Sequence, residues 1–441
     1  MSFDERMRWT AYWALDSRRG KPVRHYYDQI RDSWRRGSSC EETEKKIRNL
    51  MEHAANTTEF YRDYRDAACL QDLPVVTKDT FRQNYEAMQS SLYKDAPDNR
   101  TMYTSGSTGT PLAMIQNKDK INHNTAAGIF LGAAGGYYIG MKQAFLRVWV
   151  HGCNKSRLSQ LAENMIPVDS SRMDDAALAE IVELIRKKKV KSLLGYSSAL
   201  EELSRYLDVH QVDTSDFQVS SIIPISETMA DAYRARLQEQ FSAPVRAWYS
   251  NEENGIMGLQ EPDSNGYQID TESYFYEILK MDSDEPAEEG ELGRIVITDL
   301  YNYAFPILRY DTGDTAIGRR EEKNGRFRFF LTVLYGRRSD IIFDTAGRPL
   351  TPYIITNNMW TVKGVRQFRF IQETEKDYVL WLNGDRELMD PGEICSRIAP
   401  YLGEDAAFRI EYVEEIPVLA SGKRKYIENR CPLYQDRKGS R

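Results

Sequence analysis

A run of small and hydroxyl-bearing residues, Thr104-Ser105-Gly106-Ser107-Thr108-Gly109-Thr110-Pro111, is the clearest chemical feature of this 441-residue chain. Small side chains let the backbone curl so that its N–H groups converge, and the hydroxyls add donors, which together suit a polyphosphate. The run is not a Walker A loop, because no Gly-Lys-Ser/Thr follows at the required spacing. A flexible Gly/Ser linker is the alternative, but the run lies between strand-like segments. The sequence therefore predicts a phosphate-binding loop formed by Thr104, Ser105, Gly106, Ser107, Thr108 and Gly109.

Four segments farther along the chain carry aromatic, acidic and basic side chains that suit a nucleotide. They are Trp248-Tyr249-Ser250-Asn251-Glu252-Glu253, Arg309-Tyr310-Asp311-Thr312-Gly313-Asp314, Gly336-Arg337-Arg338-Ser339-Asp340 and Pro417-Val418-Leu419-Ala420-Ser421-Gly422-Lys423. With the first run, and in this order, they resemble the motifs of the ANL superfamily of adenylate-forming enzymes. The resemblance implies a ligase that uses ATP to convert a carboxylic acid into an acyl-AMP.

The resemblance also implies a role for one residue in each of these segments. Tyr249 would stack on the adenine, Asp314 would hold the ribose hydroxyls, and Arg337 would reach the nucleotide. Glu253 would bind Mg²⁺, and Lys423 would be the catalytic lysine. A positioned group that stabilises charge in this way is typically worth a factor on the order of 10²–10³ in rate.

Within the superfamily, the chain most resembles the phenylacetate–CoA ligases and the CapK-type proteins of polysaccharide clusters. Leu73-Pro74-Val75-Val76-Thr77-Lys78 is similar to their Leu-Pro-x-x-Thr-Lys segment, and Gly195-Tyr196-Ser197-Ser198 is similar to their Gly-Tyr-Pro-Ser turn. Ile225-Ser226-Glu227-Thr228 stands where they have a small residue and a Glu beside the adenine. This likeness implies nucleotide contacts for Ser226 and Glu227.

The sequence departs from the family pattern at several positions. Thr110 stands where many relatives have Lys, so positive charge at the phosphates has to come from Mg²⁺ or from Lys423. Glu252 replaces a Ser or Thr ahead of the metal-binding Glu, which places two adjacent carboxylates at the site. Ser339 takes the first Asp position of the hinge motif and leaves Asp340 as the residue that fits the family. None of these departures removes the function that the resemblance implies.

Each assigned residue also has a purely structural explanation. Tyr249 could fill the core of a sheet, Glu253 could lie at the start of a helix, and Asp314 could be a turn residue. Lys423 could be a solvated loop lysine. His151, which follows a strand-like segment, is better explained as a structural residue than as a base.

The composition favours a globular protein without a nucleic-acid partner or a membrane span. The net charge of −7 argues against nucleic acid, which needs a basic surface. The longest uncharged stretch, 121–141, contains five glycines, whereas a spanning helix needs roughly 20 mostly apolar residues. The N-terminus lacks the apolar core of a signal peptide. The five cysteines have neither disulfide nor zinc-site spacing, so we expect a cytoplasmic protein.

The elements that would position these residues change in kind along the chain. Residues 1–70 look like amphipathic helices. From 174 to 249 helices and strands alternate, which predicts a parallel sheet with covering helices. The alternation starts with a helix at 174–189, whose apolar stripe would be Leu178, Ile181, Val182 and Ile185, and ends with a strand at Val245–Tyr249. Tyr267–Met281 begins a series of strands divided by acidic or Gly-containing turns, which predicts a barrel-like β piece. After Asp340, the pattern predicts two paired strands, 368–372 and 378–382, and a helix, 391–402.

These elements predict an α/β protein of two domains. A large N-terminal domain, residues 1–338, would hold the parallel sheets and the barrel-like β piece. A small mobile C-terminal α+β domain, residues 339–441, would carry Lys423 to the nucleotide. A hinge near Ser339–Asp340 would let this domain move aside for a second step.

The identity of the acyl acceptor stays open at the level of sequence. The resemblance implies ATP, Mg²⁺ and CoA as cofactors, and a small carboxylic acid whose pocket would include Phe130 and Tyr137. Transfer to CoA, as in an acyl- or aryl-CoA ligase, is the first interpretation. Transfer to an amine or hydroxyl of an amino acid or sugar is the alternative. A non-catalytic nucleotide-binding protein is the second alternative, and the presence of both Glu253 and Lys423 speaks against it.

Overall fold

The elements of the chain fall into a parallel sheet, an antiparallel sheet and a C-terminal α+β region. The structure is a computed structural model that describes residues 1–103, 113–149, 156–262, 264–338, 341–350, 352–360, 362–417 and 425–435. The helices are α1 (Phe3–Arg18), α2 (Pro22–Arg36), α3 (Cys40–Thr57), α4 (Lys78–Gln83), α5 (Lys118–Ala134), α6 (Arg157–Glu163), α7 (Asp175–Lys188), α8 (Ser197–Val209), α9 (Asp231–Phe241), α10 (Pro352–Trp360), α11 (Pro391–Leu402) and α12 (Pro432–Gln435). The strands are β1 (Ser38–Ser39), β2 (Arg100–Tyr103), β3 (Ala113–Gln116), β4 (Gln143–Arg147), β5 (Met165–Asp169), β6 (Ser192–Tyr196), β7 (Ser221–Ile225), β8 (Trp248–Asn251), β9 (Gly255–Gln260), β10 (Tyr267–Ile269), β11 (Tyr274–Leu279), β12 (Leu292–Asp299), β13 (Tyr310–Lys323), β14 (Arg326–Arg337), β15 (Ile342–Phe343), β16 (Pro349–Leu350), β17 (Val365–Gln372), β18 (Asp377–Gly384), β19 (Ala407–Tyr412) and β20 (Ile427–Asn429).

A four-stranded parallel sheet has the order β5-β4-β6-β7. Every residue of β6 is buried, as expected for a parallel strand covered on both faces. The predicted helix at 174–189 is α7, and the Asp174 side chain accepts a hydrogen bond from the Ala177 amide at its start (3.0 Å). The predicted apolar stripe is buried and consists of Leu178, Ile181, Val182 and Ile185. The prediction of a parallel sheet with covering helices is confirmed.

An antiparallel sheet of eight strands forms the second layer. Its strands follow the order β11-β12-β13-β14-β10-β9-β8, and β1 pairs with β14. The expectation of one strand over Tyr267–Met281 is wrong, because β10 and β11 are separated by a turn. In that turn the Asp270 carboxylate accepts hydrogen bonds from the backbone amides of Glu272 and Ser273. A side chain that bonds its own neighbouring backbone in this way competes with strand pairing.

The two sheets are joined where the chain passes from α9 to β8. Val245 forms a single parallel bridge with Ile222 of β7, and the chain then continues into β8 of the antiparallel sheet. The stretch 245–249 was expected to be a strand of the parallel sheet. Only Val245 pairs there. The residues from Trp248 onward pair with β9 of the antiparallel sheet instead. This crossing places Tyr249 on the antiparallel sheet.

Residues 1–70 are mainly helical, as their sequence predicts, and α2 packs against β1 and β14 of the antiparallel sheet. Helix α1 begins with a capping box, in which the Ser2 side chain accepts from the Glu5 amide and the Glu5 side chain accepts from the Ser2 amide. Helices α2 and α5 share a core in which Ile30 and Leu131 are fully buried. In the part of the chain that the structure describes, no helix is both long and apolar enough to cross a bilayer.

The C-terminal region, defined here as the chain from Ile341 onward, has a sheet and a core of its own. Its four strands have the order β19-β18-β17-β20. Strands β17 and β18 pair antiparallel, and helix α11 spans 391–402, as predicted. The α/β class with a separate C-terminal unit is confirmed. The domain boundary between residues 338 and 339 stays a prediction, since 339–340 lie outside the described residues.

Candidate active site

Three residues from separate sequence motifs meet on the antiparallel sheet. The Tyr249 hydroxyl on β8 donates a hydrogen bond to Asp314 Oδ2 on β13 (3.0 Å). Arg337 Nε on β14 lies 3.3 Å from the other carboxylate oxygen, Oδ1. The pairing of β13 with β14 places Asp314 directly opposite Arg337. The Asp314 carboxylate is therefore held between a buried phenol and a guanidinium that is 54% exposed.

The electrostatics of this trio favour a protonated Tyr249 that donates to Asp314. Burial raises the pKa of the Asp314 carboxyl, and the Arg337 guanidinium and the Tyr249 hydroxyl offset part of that rise. Burial, followed by the charge of Asp314, raises the pKa of the Tyr249 phenol well above its ordinary value. Tyr249 is thus the hydrogen-bond donor, and the ionised form of Asp314 depends on the neighbouring Arg337.

The two adjacent glutamates of the β8–β9 turn have opposite exposures. The side chain of Glu253 is 5% exposed, and its Oε1 lies 2.7 Å from Lys78 Nζ. Glu252 is exposed to solvent. The turn therefore directs one carboxylate inward and the other outward, which is the arrangement expected if Glu253 alone can serve an interior site.

Lys78 reaches Glu253 because the 73–78 segment is bonded to the start of β13. The Val76 amide donates to the Arg309 carbonyl (2.9 Å), and the Asp311 amide donates to the Val76 carbonyl (2.8 Å). Lys78 then begins α4, whose N-cap Thr77 accepts from the Thr80 amide. Sequence reasoning noticed the Thr-Lys motif but not this ion pair, because nothing in the sequence signals which carboxylate the lysine meets.

Glu253 has the chemistry of a Mg²⁺ ligand that works together with phosphates. Mg²⁺ in such sites is usually held by one or two carboxylates, with water and substrate phosphates as the remaining ligands. Among the residues that the structure describes, no group of three or more His, Cys, Asp or Glu side chains could hold a metal by itself. The single buried carboxylate of Glu253 fits an ion that arrives with a nucleotide.

The segment predicted to lie beside the adenine follows the carboxyl end of β7. Ser226 has a positive φ of 70°, which marks a sharp turn directly after the strand. Glu227 Oε2 accepts a hydrogen bond from the Ser198 amide (2.9 Å), and the Ser197 hydroxyl donates to the Glu227 carbonyl (2.7 Å). The 195–198 turn and the 225–228 segment thus lie together where β6 and β7 end, which is where open α/β sheets usually bind ligands.

The chain on both sides of residues 418–424 is held by one side chain. Arg369 of β17 is 8% exposed. Its Nε donates to the Lys425 carbonyl (3.0 Å), and its Nη2 donates to the Pro417 carbonyl (2.9 Å). Lys423 itself lies outside the described residues. The described residues that flank 418–424, Pro417 and Lys425, are therefore fixed to the C-terminal sheet.

Comparison with known proteins agrees with this fold. Residues 342–430 match the family model described as the CapK C-terminal domain. Protein CapK of Staphylococcus aureus is 22% identical, over 92% of this chain and 93% of that protein. Phenylacetate-coenzyme A ligase of Thermus thermophilus is 23% identical, over 68% of this chain and 70% of that protein. The crystal structure of a 2-hydroxyisobutyryl-CoA ligase in the postadenylation state, 16% identical, has a TM-score of 0.69 and covers 91% of this chain and 92% of that one.

The chain is similar to the CapK-like branch of the ANL superfamily of adenylate-forming enzymes. The resemblance inferred from the motifs is confirmed. The roles of the single residues stay predictions, although the structure brings Tyr249, Asp314 and Arg337 into contact.

Several predicted residues of this CapK-like chain lie outside the described residues. They are Thr104, Ser105, Gly106, Ser107, Thr108, Gly109, His151 and Lys423. The strands that flank the first six, β2 and β3, pair with each other, and Tyr103 stands opposite Ala113. The described residues on the two sides of the predicted phosphate-binding run therefore lie next to each other.

The expectation that Phe130 lines a pocket for the acid is wrong. Its ring packs edge-on against Tyr27 and Trp34 of α2, at centroid distances of 5.8 and 5.7 Å. This face of α5 is buried by α2, so Phe130 belongs to the core. Tyr137 lies on another side of α5, close to Gly132, and its place in a pocket stays a prediction.

Proposed function

We propose that the chain uses ATP to convert a small carboxylic acid into an acyl-AMP and then transfers the acyl group to CoA. The observation that carries the proposal is the contact between Tyr249, Asp314 and Arg337. These residues come from three sequence motifs that the resemblance assigns to one nucleotide. Their contact supports a common binding site for adenosine, with the buried Glu253 as the residue that would hold Mg²⁺.

Each side chain of the trio suits a different portion of a nucleotide. The Asp314 carboxylate is an acceptor for the two ribose hydroxyls. The positive charge of Arg337 favours the ionised form of Asp314. The hydrogen bond from Tyr249 to Asp314 fixes the orientation of the tyrosine ring, whose flat face suits an adenine. Charge-assisted hydrogen bonds of this kind contribute about 1.5–3 kcal/mol each.

The first proposed step joins two anions, so its difficulty is mainly electrostatic. A carboxylate oxygen of the acid forms a bond to the α-phosphorus of ATP. The bond from that phosphorus to the bridging oxygen breaks, and pyrophosphate leaves. Mg²⁺ held at Glu253 would supply positive charge to the phosphates when it is bound. Lys78 and Lys423 are the lysines of this chain that we propose to supply further charge.

In the second proposed step the acceptor displaces AMP. The CoA sulfur attacks the acyl carbon, the bond from that carbon to the phosphate oxygen breaks, and the thiol proton passes to solvent. The likeness to phenylacetate-coenzyme A ligase, over 68% of the chain, supports CoA as the acceptor. We place the reaction in the cytoplasm, which supplies ATP, because Cys40, Cys69, Cys395 and Cys431 are unpaired.

A second candidate keeps the first step and changes the acceptor. The CapK likeness extends over 92% of the chain, and the C-terminal region matches a CapK C-terminal family model. The CapK likeness allows an amine or a hydroxyl as the acceptor, for instance on an amino acid or a sugar. The acid and the first step are the same in both candidates.

Pyrophosphate release tests the function directly. The purified chain would be incubated with ATP, Mg²⁺ and a panel of small carboxylic acids, with and without CoA and a panel of amines and sugars. We expect acid-dependent pyrophosphate release, and faster turnover with one acceptor class. The Asp314→Ala variant is the matched control for contaminating activity. A wild-type chain that gains thermal stability with ATP but releases no pyrophosphate with any acid would support the non-catalytic alternative.

A further inference from the structure

Tyr426 connects the C-terminal region to the parallel-sheet layer. Its backbone carbonyl accepts a hydrogen bond from the Phe370 amide (2.8 Å), and its ring lies 5.2 Å from the Phe368 ring. Its hydroxyl donates to Glu201 Oε2 on α8 (3.0 Å). The residue is therefore anchored in the C-terminal sheet and reaches out of it to a helix of the large layer.

Glu201 is a buried acceptor at the point that Tyr426 reaches. The residue is 2% exposed, and its second oxygen, Oε1, accepts from the Ala230 amide (3.1 Å). Ala230 is the N-cap residue of α9 and follows the 226–228 segment that the resemblance places beside the adenine. Each carboxyl oxygen of Glu201 thus has one donor, from a different region of the chain.

Tyr426 is also close in sequence to the predicted catalytic lysine. It lies three residues after Lys423, and the intervening Lys425 carbonyl is held by Arg369 (3.0 Å). Arg369 ties Pro417 and Lys425, the described residues that flank 418–424, to the C-terminal sheet. A contact that docks Tyr426 therefore also fixes these flanking residues relative to residues 226–230.

We propose that the hydrogen bond between Tyr426 and Glu201 is a latch that docks the C-terminal region in the arrangement used for acyl-AMP formation. Tyr426 and Glu201 are then positioning residues for Lys423, and this inference rests on the proposed function. The latch favours the first step, because docking delivers the lysine. Its release frees the C-terminal region to change position before acyl transfer.

Hydrogen exchange of the full chain tests the docking contact without any substrate. Loss of a hydrogen bond to a buried carboxyl should speed exchange in peptides covering 197–204 and 226–232 by about tenfold in Tyr426→Phe. Tyr401→Phe is the matched control, since Tyr401 is 46% exposed on α11 of the same region. Equal exchange in the two variants would overturn the latch.

A double-mutant cycle separates a specific contact from general destabilisation. Glu201→Ala and Tyr426→Phe should each speed exchange, and the double variant should exchange no faster than the more affected single one, because both changes remove the same bond. Glu201→Gln can keep its oxygen as the acceptor for the Ala230 amide and let its NH2 group donate to the Tyr426 hydroxyl oxygen, so it should exchange like the wild type. Additive effects in the double variant would contradict a direct contact.

Kinetics then test the positioning role and separate it from the proposed function. With an acid and ATP that support pyrophosphate release, Tyr426→Phe should lower kcat about tenfold and leave KM for ATP unchanged, since the latch does not touch the nucleotide. Transfer from a preformed acyl-AMP should keep its wild-type rate. If the wild type releases pyrophosphate and Tyr426→Phe has the same kcat, the positioning role is wrong and the function stands. If no acid is active in the wild type, the proposed function fails and hydrogen exchange alone decides the contact.

Discussion

At the scale of single residues, the site depends on which carboxylates are buried and what pairs with them. Glu253 is buried and paired with Lys78 (2.7 Å), whereas its neighbour Glu252 faces solvent. A buried carboxylate without a cation is unfavourable, so Glu253 should keep a positive partner at all times. We infer that a bound metal ion would take over part of the role that Lys78 has in this structure.

The two adjacent glutamates give the first prediction. Glu253→Gln should raise the Mg²⁺ concentration needed for half-maximal pyrophosphate release and slow adenylation, because it removes the charge of the proposed ligand. Glu252→Thr should leave the Mg²⁺ dependence nearly unchanged, and it serves as the matched control. Magnesium titrations of both variants check this. A larger Mg²⁺ effect in Glu252→Thr would mean that the motif is assigned one residue out of register, and the adenine role of Tyr249 would fall with it.

The second prediction concerns the ribose. Asp314→Ala should weaken ATP binding by about tenfold to a hundredfold, which corresponds to the loss of charge-assisted hydrogen bonds worth about 1.5–3 kcal/mol. Asp282→Ala is the control, since this aspartate is exposed and lies outside the motifs. Calorimetric titration with ATP measures both. Equal affinity in wild type and Asp314→Ala would count directly against a ribose role.

Sequence reasoning found the residues that belong to motifs and missed those defined by three-dimensional contacts. The motifs identify Tyr249, Asp314 and Arg337, but they do not indicate that the three side chains touch. Lys78 was seen only as a motif residue, because an ion pair between distant segments leaves no local pattern. Glu201 was not singled out at all, since a glutamate on an otherwise ordinary amphipathic helix gives no sign that it is buried.

At the scale of elements, close packing of the parallel sheet explains the glycine of the 195–198 turn. A Cβ atom on Gly195 would lie 2.8 Å from Leu146 Cβ and 2.9 Å from the Leu146 carbonyl oxygen of β4. Contacts that short require the backbone to shift. Strand β4 therefore leaves no room for a side chain at position 195, next to the end of β6 and the 225–228 segment.

This packing gives the third prediction. Gly195→Ala should lower the free energy of unfolding by about 1–3 kcal/mol, because it overpacks the core against backbone. Gly128→Ala on α5 is the matched control. Its added Cβ would be 3.5 Å from Ile256 Cδ1, an ordinary contact, and alanine favours a helix over glycine by about 1 kcal/mol. Urea unfolding of the two variants should shift in opposite directions, and a stable Gly195→Ala variant would contradict the packing argument.

Periodicity predicted long regular elements well and failed where a polar side chain or a sheet junction intervened. Helices α7 and α11 were predicted correctly because a capping residue or an N-terminal proline precedes a clear apolar stripe. The break between β10 and β11 depends on Asp270 bonding its own turn, which the strand-like residues around it conceal. The change of sheet after Val245 could not be predicted, because pairing partners are set by the whole fold.

At the scale of the whole molecule, the contact between the C-terminal region and α8 includes a titratable group. Burial raises the pKa of Glu201 to about 8, and the nearby Glu227 and Glu202 contribute to the rise. The Ala230 amide and the Tyr426 hydroxyl, which donate to Glu201, lower it. Tyr233 also faces this group. Glu201 therefore binds its proton up to a higher pH than an exposed glutamate does.

The fourth prediction follows from the sign of that shift. A carboxyl whose pKa is raised on folding favours the folded state fully below its ordinary pKa, and this contribution is lost as the pH rises through about 8. Glu201→Gln should therefore gain stability relative to the wild type as the pH rises, by at most about 1.4 kcal/mol per pH unit. Glu180→Gln, an exposed change on α7, is the control. Urea midpoints between about pH 5 and 8 that run parallel for Glu201→Gln and wild type would rule out the shifted pKa.

The fifth prediction concerns delivery of the lysine. Lys423→Ala should lose most acyl-AMP formation while ATP still binds, because this lysine should act on the transition state rather than on affinity. Lys425→Ala is the neighbour control, since Arg369 binds the backbone carbonyl of Lys425 and this change keeps that carbonyl. Pyrophosphate release and ATP titration are measured together. Wild-type release by Lys423→Ala would end the assignment of this residue.

The guanidinium of Arg369 binds the carbonyls of both Pro417 and Lys425. It therefore fixes the residues on either side of 418–424, whatever the length of the segment between them. The entropy lost on closing a segment between fixed ends grows slowly, and each doubling of its length costs about 0.6 kcal/mol. Insertions or deletions within 418–424 should therefore leave the C-terminal sheet folded. A change in the length of this stretch thus requires no change in the residues that hold its two flanks.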